Sequence, residues 1–226
     1  MMSSVFNVKE IKVENNNKFS YDEIVKLSKI DKDTNMFKIR NSDINKNLKV
    51  NPYIEKVKVK RSINGIITLQ VEERTATLML KLGNSFVYIN NQGYILEMSE
   101  EPLNCIMLTG FTTPTELIKE GNRLLNGDLK ELEKVLKIIE NAKSILLDKE
   151  NISLDKLITQ IDIEDTKNYK LILETEDKVV DFGDCSNINI KLSNVQQIIE
   201  QEEGKAGIIY FQDLLNDKKA VFREKV

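Results

Sequence analysis

The sequence predicts an α+β chain in two parts: a small βααββ domain over residues 6–74, then a mixed, largely antiparallel β domain with flanking helices over residues 75–226. Three observations carry this. Val57 and Val59, then Ile67, Leu69 and Val71, alternate with polar residues at the period of half-buried strands. Ser20 and Glu23 mark an explicit helix start. A long amphipathic stripe begins at Asp128 and gives way to short alternating segments. A length of 226 residues suits two modest domains or one large one.

In chain order, Met1-Met2-Ser3-Ser4 lacks the apolar core of a signal peptide, and residues 1–5 read as an added or disordered start. Residues 6–13 read as a strand and Asn15-Asn16-Asn17 as a turn. Ser20 is the N-cap of a helix ending near Ile30, with Glu23 completing a capping box and Phe19 and Ile24 placed as a hydrophobic staple. Met36-Phe37-Lys38-Ile39 is a short apolar anchor. A second helix starts after Asn41 or Ser42, carries Ile44 and Leu48 on one face, and stops at Asn51-Pro52.

Two strands follow around Asn64-Gly65. A two-residue turn would pair Val59 with Gln70 and mix apolar and charged residues on each face, since a one-residue slip turns every side chain over. The pattern therefore predicts a three- or five-residue turn with a glycine bulge. Asn64-Gly65-Ile66, for example, would pair Val59 with Val71.

After Arg74, strands are expected at 76–82, 85–89 and 94–98, and residues 106–109 form a short apolar segment. A helix from Asp128 to about Leu147 carries Leu129, Leu132, Val135, Leu136, Ile139, Ala142 and Leu146 inward. Residues 157–163, 169–174 and 179–182 read as a meander, and 190–201 as a helix. Strands 206–211 and 220–223 close the chain, joined through Leu214-Leu215-Asn216-Asp217.

The chemistry is mostly exclusion. The chain has no histidine, so no Ser-His-Asp or Cys-His arrangement can form within it. No phosphate-binding loop, dinucleotide fingerprint, calcium loop or metal-ligand spacing is present, and the expectation is no cofactor, no metal and no enzyme. Glu72-Glu73, Glu100-Glu101 and Glu202-Glu203 are neighbours that on strands point to opposite faces. Charges nearly cancel, at −3, which leaves no footprint for nucleic acid. Cys105 and Cys185 lack a motif spacing and read as two buried thiols or one bridge. Lys56, Lys58 and Lys60 form a basic stripe: either a solvated sheet face or a contact for an anionic cell-wall polymer or lipid headgroup.

Asn51-Pro52-Tyr53-Ile54, Val59-Lys60-Arg61 and Val71-Glu72-Glu73-Arg74 together resemble the end of the POTRA domain in FtsQ/DivIB bacterial division proteins. Residues 8–13 and the Ser20 helix extend the likeness upstream. The stretch from Tyr88 to Leu96, with its Asn90 turn and Gly93, is similar to a hairpin of that family, and residues 207–223 to its closing strand pair. The resemblance implies a single-pass protein of the cell membrane, exposed outside the cytoplasm at the division septum. An upstream helix would anchor it there, ahead of a POTRA domain and a β domain. It also implies a non-catalytic scaffold that binds FtsB/DivIC-like and FtsL-like division proteins by strand addition at its C-terminal edge. The residues implied for that contact are Leu214, Leu215, Asp217, Ala220, Val221, Phe222 and Arg223, with Phe222 either an anchor for the partner or packed inward. Asn51, Pro52, Tyr53, Ile54, Glu73, Arg74 and Gly93 are implied as structural motif residues. The alternative is a POTRA-type chaperone or assembly module of an outer-membrane or secretion system.

Overall fold

The structure is a computed structural model that describes residues 6–147, 151–214 and 217–225. It is α+β, and it divides into two compact units, Met1–Thr75 and Ala76–Val226.

In the first unit, β1 (Glu10–Glu14), α1 (Tyr21–Ser28), α2 (Asn41–Leu48), β2 (Ile54–Ser62) and β3 (Ile66–Glu73) form a three-stranded sheet in the order β1-β3-β2. β1 runs parallel to β3, and β2 antiparallel to it. The capping box forms in full: the Glu23 amide donates to Ser20 Oγ at 3.3 Å, and the Ser20 amide donates to Glu23 Oε2 at 2.8 Å. Ile24, Ile44, Leu48, Ile67 and Leu69 fill the core between helices and sheet. The first ladder starts later than expected because Val8 is tied instead to the 33–34 turn: its amide donates to the Thr34 carbonyl and its carbonyl accepts from the Asp33 amide. In the expected anchor, Met36 is buried but Phe37 is 71% exposed.

The β2–β3 loop has three residues, Ile63-Asn64-Gly65, between Ser62 and Ile66. The odd length expected from the faces is present, with the turn one residue earlier. Val57 therefore faces Val71 and Val59 faces Leu69, two positions from the expected pairing, which leaves every side chain on its expected face.

The second unit holds one nine-stranded sheet built from β4 (Leu78–Leu82), β5 (Ser85–Ile89), β6 (Ile95–Ser99), β7 (Ile106–Thr109), β8 (Gln160–Asp162), β9 (Tyr169–Leu173), β10 (Lys178–Gly183), β11 (Gly207–Leu214) and β12 (Asp217–Glu224). Their order is β12-β11-β10-β9-β8-β7-β4-β5-β6. The meander β8-β9-β10 is antiparallel, but β10–β11, β7–β8 and β4–β7 are parallel. α3 (Asn126–Lys143) and α4 (Ile188–Gln201) pack together, and α4 lies against β11 and β12. Leu132, Val135, Ile138, Val180, Phe182, Leu192 and Val195 lie in the resulting core.

α3 ends four residues before the expected Leu147. The Ser144 amide turns back to the Ala142 and Asn141 carbonyls, and Leu146 bridges Ser153 and is 53% exposed rather than inward. Cys105 and Cys185 are both unpaired and half-buried, so neither the bridge nor full burial holds.

Candidate functional site

The residues singled out in the sequence separate into three places, one in the first unit and two in the second. In the first unit Asn51, Pro52, Tyr53, Ile54, Glu73 and Arg74 come together at the end of the sheet. Asn51 Oδ1 accepts from the Tyr53 amide at 3.0 Å, an Asx turn that leads into β2. The Arg74 amide donates to the Tyr53 carbonyl at 2.7 Å, and its guanidinium donates to the carbonyls of Pro52 at 2.8 Å and Ile54 at 3.2 Å. Glu73 reaches the other way: its carboxylate accepts from the amides of Asn17, Lys18 and Phe19, the turn that feeds α1. One dipeptide at the end of β3 thus holds the start of β2 and the approach to α1.

Gly93 belongs to the second unit. Its φ is +78°, so the Asn90 turn favours glycine for its backbone, and a Cβ there would stand 2.4 Å from Leu129 Cδ2, the tip of a side chain that would have to turn aside. Asn90, 2% exposed, accepts from the Gln92 and Tyr94 amides through Oδ1.

The remaining group lies on β11 and β12, the last two strands of the sheet. Leu214 and Asp217 face each other as the final ladder pair, so both belong to strands and not to the connection. Leu215 lies outside the described residues. Lys225 donates its amide to the Ala206 carbonyl at 2.8 Å, which fixes the phase of the antiparallel ladder. Hydrogen-bonded pairs recur every second residue. Val221 and Arg223 therefore bond inward to β11, while the N–H and C=O of Ala220, Phe222 and Glu224 point away from the sheet. Among the described residues nothing accepts or donates on that outer side.

The opposite end of the sheet is different. Both backbone groups of Ile95 in β6 are taken, its amide by the Asn122 carbonyl and its carbonyl by the Gly121 amide, and the Met98 amide donates to the Glu120 carboxylate. One edge is covered and the other is a template for pairing.

Side chains on the two faces of β12 have separate duties. Phe222 packs inward: Gly207 lies under its ring, where a Cβ would stand 2.6 Å from two ring carbons, and Lys178 Nζ is 5.8 Å from the ring centroid. Ala220 packs against the same core. Val221 and Arg223 face the other side, opposite Tyr210 and Ile208, with the Arg223 guanidinium 5.5 Å from the Tyr210 ring centroid.

That outer side borders a cleft of about 720 Å³ lined by residues that include Asn168, Asp181, Asp184, Lys191, Tyr210 and Arg223. Lys191, 1% exposed, is spent on its own fold: Nζ donates to the carbonyls of Phe182 and Asp184 and to Asp184 Oδ1 at 3.0 Å. Hydrogen bonds from Ser186, then from Lys191, hold the Asp184 carboxyl well below the usual carboxylate range. Asp181 Oδ1 is shielded from solvent without a hydrogen-bond partner among the described residues. The cleft therefore carries the Arg223 guanidinium beside the open edge, with Asp181 two strands further in on β10. Nothing in the sequence marked Asp181, which stands between Lys170 and Tyr210 in the sheet, or Lys191, which reaches from α4 to Phe182 and Asp184.

Residues 6–74 match the family profile described as POTRA domain, FtsQ-type, and residues 76–214 match FtsQ/DivIB, C-terminal related. The chain belongs to the FtsQ/DivIB family of cell division proteins. Relatives agree. A "Cell division protein DivIB" of Clostridium botulinum is 29% identical over 96% of this chain and 81% of the relative. Another of Clostridium tetani is 25% identical over 88% of this chain and 71% of the relative. A "Cell division protein FtsQ" of Syntrophotalea carbinolica is 24% identical over 93% and 71%. In this FtsQ/DivIB protein the Asn51–Arg74 constellation lies inside the POTRA match, while β12 lies just past the end of the second match. Among the described residues no helix is long and apolar enough to cross a membrane.

Proposed function

We propose that this protein is a non-catalytic division scaffold that binds an FtsB/DivIC-like partner, and with it an FtsL-like one, by strand addition at β12. In the full-length protein a single membrane span would hold these two units outside the cytoplasm at the division septum. The observation that carries the reading is the contrast between the ends of the nine-stranded sheet: Ile95 is covered by residues 121–122, whereas Ala220, Phe222 and Glu224 present unpaired backbone groups. An added strand would satisfy that row, since main-chain hydrogen bonds supply affinity in this mode and flanking side chains supply choice of partner. The guanidinium of Arg223, exposed on β12, gives one flank a place to bond. Phe222 supports the edge from beneath by fixing β12 on the core. The POTRA unit and its Arg74 and Glu73 clamps serve as structure in this reading.

The test uses proline. Ala220→Pro removes an outward N–H and none that bonds to β11, a position where an edge strand tolerates proline. The expected result is at least a tenfold loss of affinity for the soluble part of a DivIC-type partner, measured by calorimetry, with the thermal midpoint nearly unchanged. Unchanged affinity in a folded variant would overturn strand addition at β12. Removal of residues 220–226 provides a second measurement with the same expected sign.

A further inference from the structure

We propose that one end of the first unit, carrying Phe6, Phe37 and Ile63, dips into the surface of an anionic lipid bilayer. Three parts of the chain meet there. Phe6 and Phe37 pack edge to face, with ring centroids 5.3 Å apart. The Arg61 guanidinium donates to the Ile39 carbonyl at 2.7 Å, which places the end of β2, and with it the Ile63-Asn64-Gly65 loop, beside the 35–39 segment. The Gly65 carbonyl accepts from the Lys9 amide at 2.8 Å, so the same loop also lies beside the chain that follows Phe6. All three side chains are large, apolar and exposed, Phe37 at 71% and Ile63 at 82%. The turn under Phe37 is firmly tied: the Phe37 amide donates to Asn35 Oδ1 at 3.0 Å, and the Lys38 amide to the Asn35 carbonyl at 3.0 Å. Met36 before it is buried and Ile39 after it packs on the core. That turn holds a single apolar side chain away from the core.

Apolar residues scattered singly on a surface are ordinary, but a cluster of them marks an interaction. These stand on two loops at the end of a sheet, and the surface that accepts such a projection is one that yields around it, as the headgroup layer of a bilayer does. Charge agrees. Lys9, Lys32, Lys38 and Arg40 are exposed around the cluster, against Asp31 and Asp33 in the adjoining turn, while Glu10 leans to Lys12 at 3.8 Å. The tip is therefore positive although the whole chain carries −3. Cations beside an anionic leaflet add to apolar insertion, and the two effects together set the strength of binding. The other end of the unit is a long way off. The nine residues of β2 separate the tip from Val50 and from Arg74, where the chain leaves the unit, a span of about 30 Å. A tip this small holds only a surface kept next to it, so the contact rests on the membrane span proposed above, which would supply that nearness.

The chain has no tryptophan, so Phe37→Trp places a lone fluorophore at the tip. The full chain, with a hexahistidine tag ahead of its first residue, can be tethered to vesicles of phosphatidylglycerol and phosphatidylcholine in equal parts with a little nickel-chelating lipid. Emission of the Phe37→Trp variant should shift to the blue. It should also lose roughly half or more of its intensity when the lipids are brominated near the headgroup end of their acyl chains, since interfacial groups lie about 5–10 Å into that boundary. Ile63→Trp is a second reporter and should behave alike, whereas Val50→Trp, exposed at the far end, should do neither. Lys9→Gln with Lys38→Gln should weaken the quenching, and so should added salt. Unshifted and unquenched emission from tethered, folded Phe37→Trp and Ile63→Trp would overturn the proposal, as would equal quenching of Val50→Trp. The tag supplies the tether, so failure here leaves the native span and the β12 contact standing, and failure of partner binding at β12 leaves this result standing.

Discussion

Asp128 shows how much one side chain can hold. It is 2% exposed near the start of α3, and its carboxylate accepts from the amides of both Thr112 and Thr113, from the Thr112 hydroxyl at 2.9 Å, and from the Thr113 hydroxyl. Burial alone would push the carboxyl up, but the Thr113 hydroxyl, with the Thr112 amide and hydroxyl and the Thr113 amide, outweighs it and holds the group below its usual range. A carboxyl depressed in the folded state adds stability above its unfolded value of about 3.9, and that stability is lost as pH falls through the folded value. Asp128→Asn presents two donors and one acceptor to four donors. It should cost about 2–3 kcal/mol at pH 7, a fall in thermal midpoint of about 4–10 °C. The gap to the parent should narrow below about pH 4, where the parent loses its own advantage. A constant gap from pH 3 to pH 7 would refute the charge's part in it. The sequence identified Asp128 as a helix start but said nothing of Thr112 and Thr113, because the loop that brings them back has no periodicity to read. Asp181 escaped notice because its cross-strand neighbours come from other segments of the chain, and Lys191 because the turn that holds its partners has no periodicity to read.

At the scale of elements, legibility followed period. α1 came with its cap and its buried face, both written within nine consecutive residues. The β2–β3 hairpin was legible in face and in loop parity, yet its register was displaced by two, since alternation repeats every two residues and cannot tell Val71 from Leu69. What fixes the register lies elsewhere. Gly65 has φ +86° and a carbonyl that accepts from both Lys9 and Glu10, and a Cβ on it would stand 2.6 Å from the Asn7 carbonyl. The hairpin tip is therefore locked against the chain entering β1. Gly65→Ala must bear a left-handed backbone, at about 1–2 kcal/mol, and displace a main-chain oxygen as well. A total near 3 kcal/mol is expected from urea unfolding. Gly83→Ala is the comparison: its φ is +60° but nothing lies within 4 Å of the added carbon, so it should show the backbone cost alone. Equal losses at the two glycines would mean that the Asn7 contact does not hold the hairpin.

For the whole molecule, class was legible and topology was not. The strand segments of the second unit were mostly found, but their order could not be, because β7 returns parallel to β4 only past β5 and β6, β8 runs parallel to β7 only through the α3 crossover, and β11 parallel to β10 only through α4. Such pairings depend on which faces meet, and apolar segments of similar length are interchangeable in sequence. The separation of cores has a consequence that can be measured. The buried cluster around Ile24, Leu48 and Leu69 shares no residue with the cluster around Leu80, Val135 and Phe182. Between β3 and β4 the chain from Arg74 to Thr77 has no regular structure. Cooperativity follows shared burial, so two disjoint cores predict two unfolding transitions. The first unit is about half the length of the second, and the urea dependence of unfolding scales with the surface exposed. The shallower transition should thus belong to residues 1–75, and small domains of that size are also the less stable kind. Chains cut between Thr75 and Ala76 should each fold, with amide spectra that add up to that of the intact protein. A single transition, or a fragment that unfolds when separated, would show that the units stabilise each other.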